Sequence, residues 1–202
     1  MENVLYDPLP EEWNGYQVNT WFQIGIQVYK TYDDDTLLDF EKDSIIKYLL
    51  FGDEDDNVRE HPEGEELDEC IKWFLNGWSH DNPSKRVNKQ KVMDFYNDQW
   101  RIYADFRQIY GINLNDADLH WWEFNGLLWN MPHKQSSFLQ VVEMRRKEIR
   151  KNMSKEEQAF IREAKEVYAL KQPETERKFT PKEKVKIDDF DHMMKERRNK
   201  GK

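Results

Sequence analysis

The chain has 202 residues, of which 35% are charged and 14% aromatic, and its net charge is -9. This length suits one well-buried domain with an extension and excludes two large domains. The apolar content is concentrated in a few large side chains, which predicts a folded core beneath a highly solvated exterior.

Features of export and membrane insertion are missing from the sequence. Cys70 is the single cysteine, and its apolar neighbours Ile71, Trp73 and Phe74 predict a small buried side chain rather than a reactive thiolate. The N-terminus has neither the basic nor the apolar region of a signal peptide. No apolar run approaches the roughly 18 residues that span a bilayer. We therefore expect a protein of the reducing cytoplasm without membrane association.

Charge is divided unevenly along the chain. Residues 1–144 carry 12 Lys and Arg against 28 Asp and Glu, a net charge of -16. Residues 145–202 carry 19 against 12, a net charge of +7. An acidic body with a basic tail predicts either a partner of opposite sign or association of the tail with the body.

The N-terminal part predicts a hairpin and three helices. Asn14-Gly15 suits the type I′ turn of a small hairpin. Thr20 and Gln23 have the spacing of a capping box that opens a helix ending near Tyr32. Apolar residues at helical spacing over 36–52 predict the second helix, and an acidic loop over 53–63 follows it. The third helix is predicted over 65–77, with Leu67, Cys70, Ile71, Phe74 and Leu75 on its inner face.

After a polar link over 79–88, the sequence predicts its longest helix between Lys89 and Tyr110. The pattern is an apolar stripe at steps of three and four, widened by Ile102 and Ile109 and formed by Met93, Tyr96, Trp100, Tyr103, Phe106 and Tyr110. Gly111 is placed to end it. A tryptophan-rich helix is predicted over 116–129 and another over 136–150. Ser154 and Glu157 form a capping box for the next helix.

The predicted fold class is mainly α, a compact multi-helix domain over 1–170 with a small N-terminal β-hairpin. Residues 171–202 form a charged basic tail, helical or disordered, without a core of its own. Aromatic residues of the central helices are predicted to share one core rather than to form a chemical site, namely Trp100, Tyr103, Phe106, Trp121, Trp122 and Phe124.

Chemical motifs are incomplete, so we expect no enzyme activity, no cofactor and no metal. His120 and Glu123 share a predicted helix face with Asp116, but no second histidine or cysteine pair completes a zinc site. The loop starting at Asp53 resembles a calcium loop until Val58, which stands where the turn requires glycine. A satisfied histidine and a solvated acidic loop are the preferred interpretations.

Nucleic-acid binding by the basic tail is also disfavoured. The tail, with Phe179 and Phe190, could contact nucleic acid through its clustered Lys and Arg, but 12 acidic residues are interleaved with the 19 basic ones over 145–202. A segment that folds against a protein partner is the preferred interpretation of the tail.

Several short strings, in one order from about Leu9 to Leu170, together resemble the bacteriophage gene product fifteen family of phages and prophages of Gram-positive bacteria. They are Val18-Asn19-Thr20, Leu49-Leu50-Phe51-Gly52-Asp53-Glu54, Trp73-Phe74-Leu75-Asn76-Gly77, Asp94-Phe95 with Asp98, Ile102-Tyr103-Ala104-Asp105-Phe106, Tyr110-Gly111-Ile112 and Leu119-His120-Trp121-Trp122-Glu123-Phe124.

The resemblance implies a phage tail-module protein that acts in tail morphogenesis in the host cytoplasm. Its expected role is that of a tail assembly chaperone that binds the tape measure protein, and no catalytic or metal residue is carried over from the family. The alternative is a structural component of the virion or tail. Partners are expected among phage tail proteins, and a homo-oligomer is left open.

Overall fold

The computed structural model describes residues 4–53, 55, 57–79 and 91–171. Over these residues the protein is mainly α-helical with a small N-terminal hairpin, which confirms the predicted fold class. The elements are β1 (Glu12–Trp13), β2 (Tyr16–Gln17), α1 (Phe22–Tyr32), α2 (Asp39–Phe51), α3 (Glu65–Asn76), α4 (Phe95–Asp105), α5 (Trp121–Trp129), α6 (Ser137–Arg146) and α7 (Lys155–Val167). A π-helical segment, Phe106–Tyr110, continues α4. None of these described helices is long and apolar enough to cross a membrane.

The described chain divides into two units, a division that the hydrophobic pattern did not indicate. The first unit contains residues 4–77 together with 120–122. The second contains the described parts of 78–119 and 123–171. The polar link lies almost entirely outside the described residues, and so does the basic tail beyond Lys171. The boundary predicted at residue 171 stays a prediction.

The hairpin forms as predicted. Trp13 pairs with Tyr16 and Glu12 with Gln17 in antiparallel register. Asn14 and Gly15 both have positive φ, +48° and +91°. A type I′ turn requires positive φ at both central residues, which explains why this dipeptide connects the strands.

The capping box predicted at Thr20 is wrong. Helix α1 begins one residue later than predicted, after Trp21, and no side chain caps its start. The carbonyl of Thr20 instead accepts a 2.6 Å hydrogen bond from the backbone N–H of Trp121. Trp21 lies in an antiparallel bridge with His120. A backbone pairing across a hundred residues therefore fixes this segment, and local spacing alone cannot predict it.

Trp121 lies at the centre of the first unit. Its side chain is 2% exposed and stacks on Phe74, with 6.0 Å between ring centroids. Gly25 permits this approach, because a Cβ there would lie 2.1 Å from Cε3 of Trp121. Buried apolar side chains of the same unit are Val18, Phe22, Val28, Ile46, Leu50, Phe51, Leu67, Cys70 and Ile71.

The predicted inner face of α3 is largely buried. Leu67, Cys70, Ile71 and Phe74 are buried, whereas Leu75 is only half-buried. Burial, with a smaller contribution from the charge of Glu66, raises the pKa of the Cys70 thiol to about 12. Cys70 is therefore a buried, protonated side chain, as its neighbours predicted.

Asn19 holds the C-terminal end of α2. Its backbone N–H donates to the carbonyl of Leu50 at 2.7 Å. Its side-chain amide donates to the carbonyls of Leu49 and Gly52 at 3.0 and 2.9 Å. The last carbonyls of a helix have no partner within the helix, so this side chain satisfies groups that would otherwise require water.

Three boundaries among helices α4, α5 and α6 differ from the predictions. Helix α4 begins at Phe95, because Asp94 accepts a 2.8 Å hydrogen bond from the N–H of Asn97 as an N-cap. Helix α5 begins at Trp121 rather than at residue 116, and α6 ends at Arg146 rather than at residue 150. The predicted capping box at Ser154 is confirmed at the start of α7.

The core of the second unit is built around Phe106 and Phe124. Their rings are stacked with centroids 5.1 Å apart, and Phe95 lies 6.2 Å from Phe124. The π-helical segment places Tyr110 so that its hydroxyl donates to the carbonyl of Leu127 at 2.9 Å. Gly111, with φ of +72°, then ends the helix as predicted.

Candidate interaction surface

The buried face of α4 carries two carboxylates. Asp98 is fully buried, and its two oxygens accept hydrogen bonds from Nη1 and Nη2 of Arg145 at 2.7 and 2.9 Å. The same guanidinium donates to the carbonyls of Tyr168 and Val92 at 2.6 and 3.0 Å. A buried charge is tolerated when it is paired and hydrogen-bonded, and this bidentate geometry satisfies both oxygens.

Asp105, two turns further on, holds the start of α6. Its carboxylate accepts from the hydroxyls of Ser136 and Ser137 at 2.7 and 2.9 Å. It also accepts from the backbone N–H groups of Ser137 and Phe138 at 3.1 and 2.9 Å. An anion is stabilised at a helix N-terminus by free N–H groups and by the helix dipole. Asp98 and Asp105 therefore both fix α4 against α6.

This anchoring turns only part of the predicted apolar stripe outward, while Met93, Ile102 and Phe106 of the same pattern are buried. Tyr96 and Trp100 are each 76% exposed, and Tyr103 is half-buried. The prediction that Trp100 lies in the core is therefore wrong. Periodicity identified a helical stripe, but the inward face was decided by the pairing of Asp98 and Asp105, which cannot be buried without their partners.

The other predicted core residues are divided between the two units. Phe106 and Phe124 are fully buried in the second unit. Trp121 is buried in the first unit, where Trp122 is half-buried and its Nε1 donates to the carbonyl of Phe74 at 2.8 Å. The prediction that these six side chains share one core is therefore wrong, because they belong to two units.

The exposed row is here called the α4 stripe and consists of Tyr96, Trp100 and Tyr103 of α4 and Arg107 of the π-helical segment that continues it. These residues are spaced by four, three and four positions, so they follow one helix face. The rings of Trp100 and Tyr103 meet edge to face at 6.1 Å, and the Tyr103 hydroxyl donates to Oδ1 of Asn113 at 3.0 Å. Asn113 also donates to Asp116. The exposed indole of Trp100 therefore contacts the ring of Tyr103, whose position is fixed by its hydrogen bond to Asn113.

Arg107 completes the stripe with a positive charge. It is exposed and has no hydrogen bond or ion pair with any described residue. Large aromatic rings and arginine are the side chains most enriched where binding energy concentrates in protein interfaces. The stripe has the composition of a protein interaction surface.

His120 and Asp53, which the sequence offered as metal ligands, have hydrogen-bond partners within the protein. Nε2 of His120 lies 3.0 Å from the carbonyl oxygen of Pro10, and Nδ1 accepts from the N–H of Trp122 at 3.0 Å. Oδ1 of Asp53 accepts from the N–H groups of Asp55 and Asn57 at 3.0 and 2.8 Å, which forms a local turn. Within the described ranges, no group of three or more His, Cys, Asp or Glu side chains could hold a metal ion.

The organising residues Asp98, Asp105 and Arg145 and the exposed charge of Arg107 were not predicted from the sequence. A signal was present, since Asp98 and Asp105 are seven residues apart and share a face with Ile102. Two carboxylates on the apolar side of a helix indicate buried pairing. Their partners lie more than 30 residues away in the chain, and no local pattern identifies them.

The fold and this surface define a mainly helical protein with an exposed aromatic face. Its described residues include no cluster of side chains that could hold a metal ion. A model of the family described as Bacteriophage Gp15 protein matches residues 5–170. The chain therefore belongs to the bacteriophage Gp15 family, and it is a phage structural or morphogenesis protein that interacts with other phage proteins. No curated protein and no solved structure matches it.

Proposed function

We propose that this protein is a non-enzymatic tail assembly chaperone that binds the tape measure protein until tail-tube subunits assemble around it. The observation that carries the proposal is the α4 stripe, in which Tyr96 and Trp100 are each 76% exposed. The opposite side of this helix is anchored to α6 by Asp98 and Asp105. Exposed aromatic residues at helical spacing suit the apolar face of another helix. A tape measure is a long helical protein whose apolar faces require cover during assembly.

The charge of the protein supports the same role. With a net charge of -9 and 35% charged residues, its exterior would keep a complex with an apolar helical protein soluble. The host cytoplasm is the compartment in which such a complex would form, and catalysis has no part in this role.

Copurification and gene deletion test the proposal. Tagged full-length protein should retain the tape measure protein from infected cells, and phage lacking the gene should yield heads without tails. Normal tails after deletion would contradict the proposal.

Composition of the virion separates this role from that of a structural component. Mass spectrometry of purified particles should find the chaperone depleted or absent. Its presence at a fixed number of copies per particle would instead identify a structural protein of the virion or tail.

A further inference from the structure

The carboxylates of α4 and its N-cap lie away from the exposed stripe, and Arg101 of the same helix lies with them, 3.4 Å from Asp98. The helix and its N-cap contain three carboxylates, all engaged on the inner side or at the helix start. Asp98 pairs with Arg145, Asp105 binds the start of α6, and Asp94 is paired with Lys91 at 2.9 Å. The outward stripe has Arg107 at one end and no acidic residue within it. The stripe is therefore an aromatic surface beside a positive charge that no described residue pairs.

We propose that the α4 stripe binds an amphipathic helix of a partner protein whose apolar face is bordered by carboxylates. The inference rests on the proposed function only in placing that partner among phage tail proteins. Complementary charge argues for the acidic border, because an exposed arginine that meets a carboxylate gains a charge-assisted hydrogen bond. An Arg or Lys border would bring like charges together.

The dimensions of the stripe define the length of helix that it accepts. Arg107 follows Tyr96 by eleven positions, which corresponds to about 16 Å along a helix axis, or about three turns. A partner helix would place apolar residues against Tyr96, Trp100 and Tyr103 and a carboxylate opposite Arg107. Trp100 is the expected centre of binding, because it is the largest exposed ring and its edge-to-face contact with Tyr103 restricts its motion.

Two designed peptides test this chemistry against the full-length protein. Each has about 20 residues and one leucine face, bordered by glutamate in one peptide and by lysine in the other. Fluorescence anisotropy of the labelled peptides should show the glutamate peptide binding about tenfold more tightly. Arg107→Glu should reverse that preference.

Variants of exposed residues locate the binding site. Trp100→Ser should weaken binding of the glutamate peptide by at least about tenfold. Phe160→Ser is the matched control, because Phe160 on α7 is a 62% exposed aromatic residue of the same unit outside the stripe. It should leave the affinity unchanged. The thermal midpoints of both variants should match the parent, since neither side chain is buried.

Four results would overturn the inference. They are equal affinity for both peptides, full affinity in Trp100→Ser, displacement of the peptide by a single-stranded oligonucleotide, and self-association of the protein that Trp100→Ser abolishes. The last two would assign the stripe to nucleic acid or to a second copy.

Tape-measure copurification separates this inference from the proposed function. Equal recovery of the tape measure by the parent and by Trp100→Ser would leave the chaperone role intact and remove the stripe from it. If neither protein recovers the tape measure but the glutamate peptide still binds selectively, the chaperone role is contradicted. The α4 stripe would then remain assigned as a site for an acidic-bordered helix.

Discussion

Arg145 and Asp98 form a buried ion pair in which both carboxylate oxygens and both terminal guanidinium nitrogens take part, at 2.7 and 2.9 Å. Because Arg145 lies on α6 and Asp98 on α4, the pair fixes which face of α4 is buried. Its third nitrogen, Nε, binds the carbonyl of Tyr168 just after α7. One guanidinium therefore joins three helices of the second unit.

Removal of one member of this pair should destabilise the second unit strongly. Asp98→Asn or Arg145→Met should each lower the free energy of unfolding by about 3–5 kcal/mol, because the remaining charge is buried without its partner. The double variant should lose clearly less than the sum of the two. Urea denaturation measures these values. Glu143 lies on α6 like Arg145, and Glu143→Gln removes only an exposed pair with His133, which precedes the helix. This variant should change stability by no more than about 0.5 kcal/mol. An equal loss in all variants would contradict this account.

The position of Asp105 predicts a larger capping effect than that of an exposed cap. Asp105→Ala should cost about 3 kcal/mol, because four donors at the start of α6 lose a buried anionic acceptor. Ser154→Ala, at the exposed capping box of α7, should cost about 1 kcal/mol. Thermal and chemical denaturation should rank the two variants in this order, and a reversed ranking would refute the proposed role of Asp105.

Substitution of Gly25 tests whether Trp121 packs closely against this position. Gly25→Ala should destabilise the first unit by about 1–3 kcal/mol, because the added Cβ would overlap the indole ring. Gly126→Ala is the control, since a Cβ at this helical glycine would meet nothing within 4 Å. Better helix propensity should make that variant neutral or up to about 1 kcal/mol more stable. Denaturation midpoints that fall equally in both variants would show that the space beside Trp121 is irrelevant.

Asp94 predicts an acid-dependent contribution to stability. Burial alone would raise its pKa, but hydrogen bonds from Asn97 and Lys91 outweigh burial and hold the pKa at about 2, against an ordinary value of 3.8. A lowered pKa means that the folded state favours the charged form. The contribution is therefore fully present above about pH 4 and is lost as the pH falls towards 2.

The stability difference between the parent and Asp94→Ala should accordingly shrink as the pH falls from 4 towards 2. At pH 7 the variant should be less stable by about 1 kcal/mol. Urea denaturation at a series of pH values measures this difference. Asp94→Asn, which keeps a capping side chain without the charge, should lose less at pH 7. A difference that stays constant down to pH 2 would exclude Asp94 as the source.

Local patterns in the sequence predicted elements that depend on neighbouring residues. Asn14-Gly15 gave the hairpin, Gly111 ended the helix before it, and Ser154 with Glu157 opened α7. Each of these features follows from backbone conformation or from hydrogen bonds within a few residues. The family could also be identified from short strings in a fixed order, which a model matching residues 5–170 confirms.

Tertiary structure decided what those patterns left open. Thr20 does not cap α1, because its carbonyl pairs with Trp121. Helix α4 exposes Tyr96 and Trp100, because Asp98 and Asp105 have buried partners on and before α6. Sequence periodicity fixes which residues share a helix face, since that depends only on 3.6 residues per turn. Which face is buried depends on desolvation of charges and on partners distant in the chain. For this protein, that choice exposes Trp100 and creates the surface proposed to bind its partner.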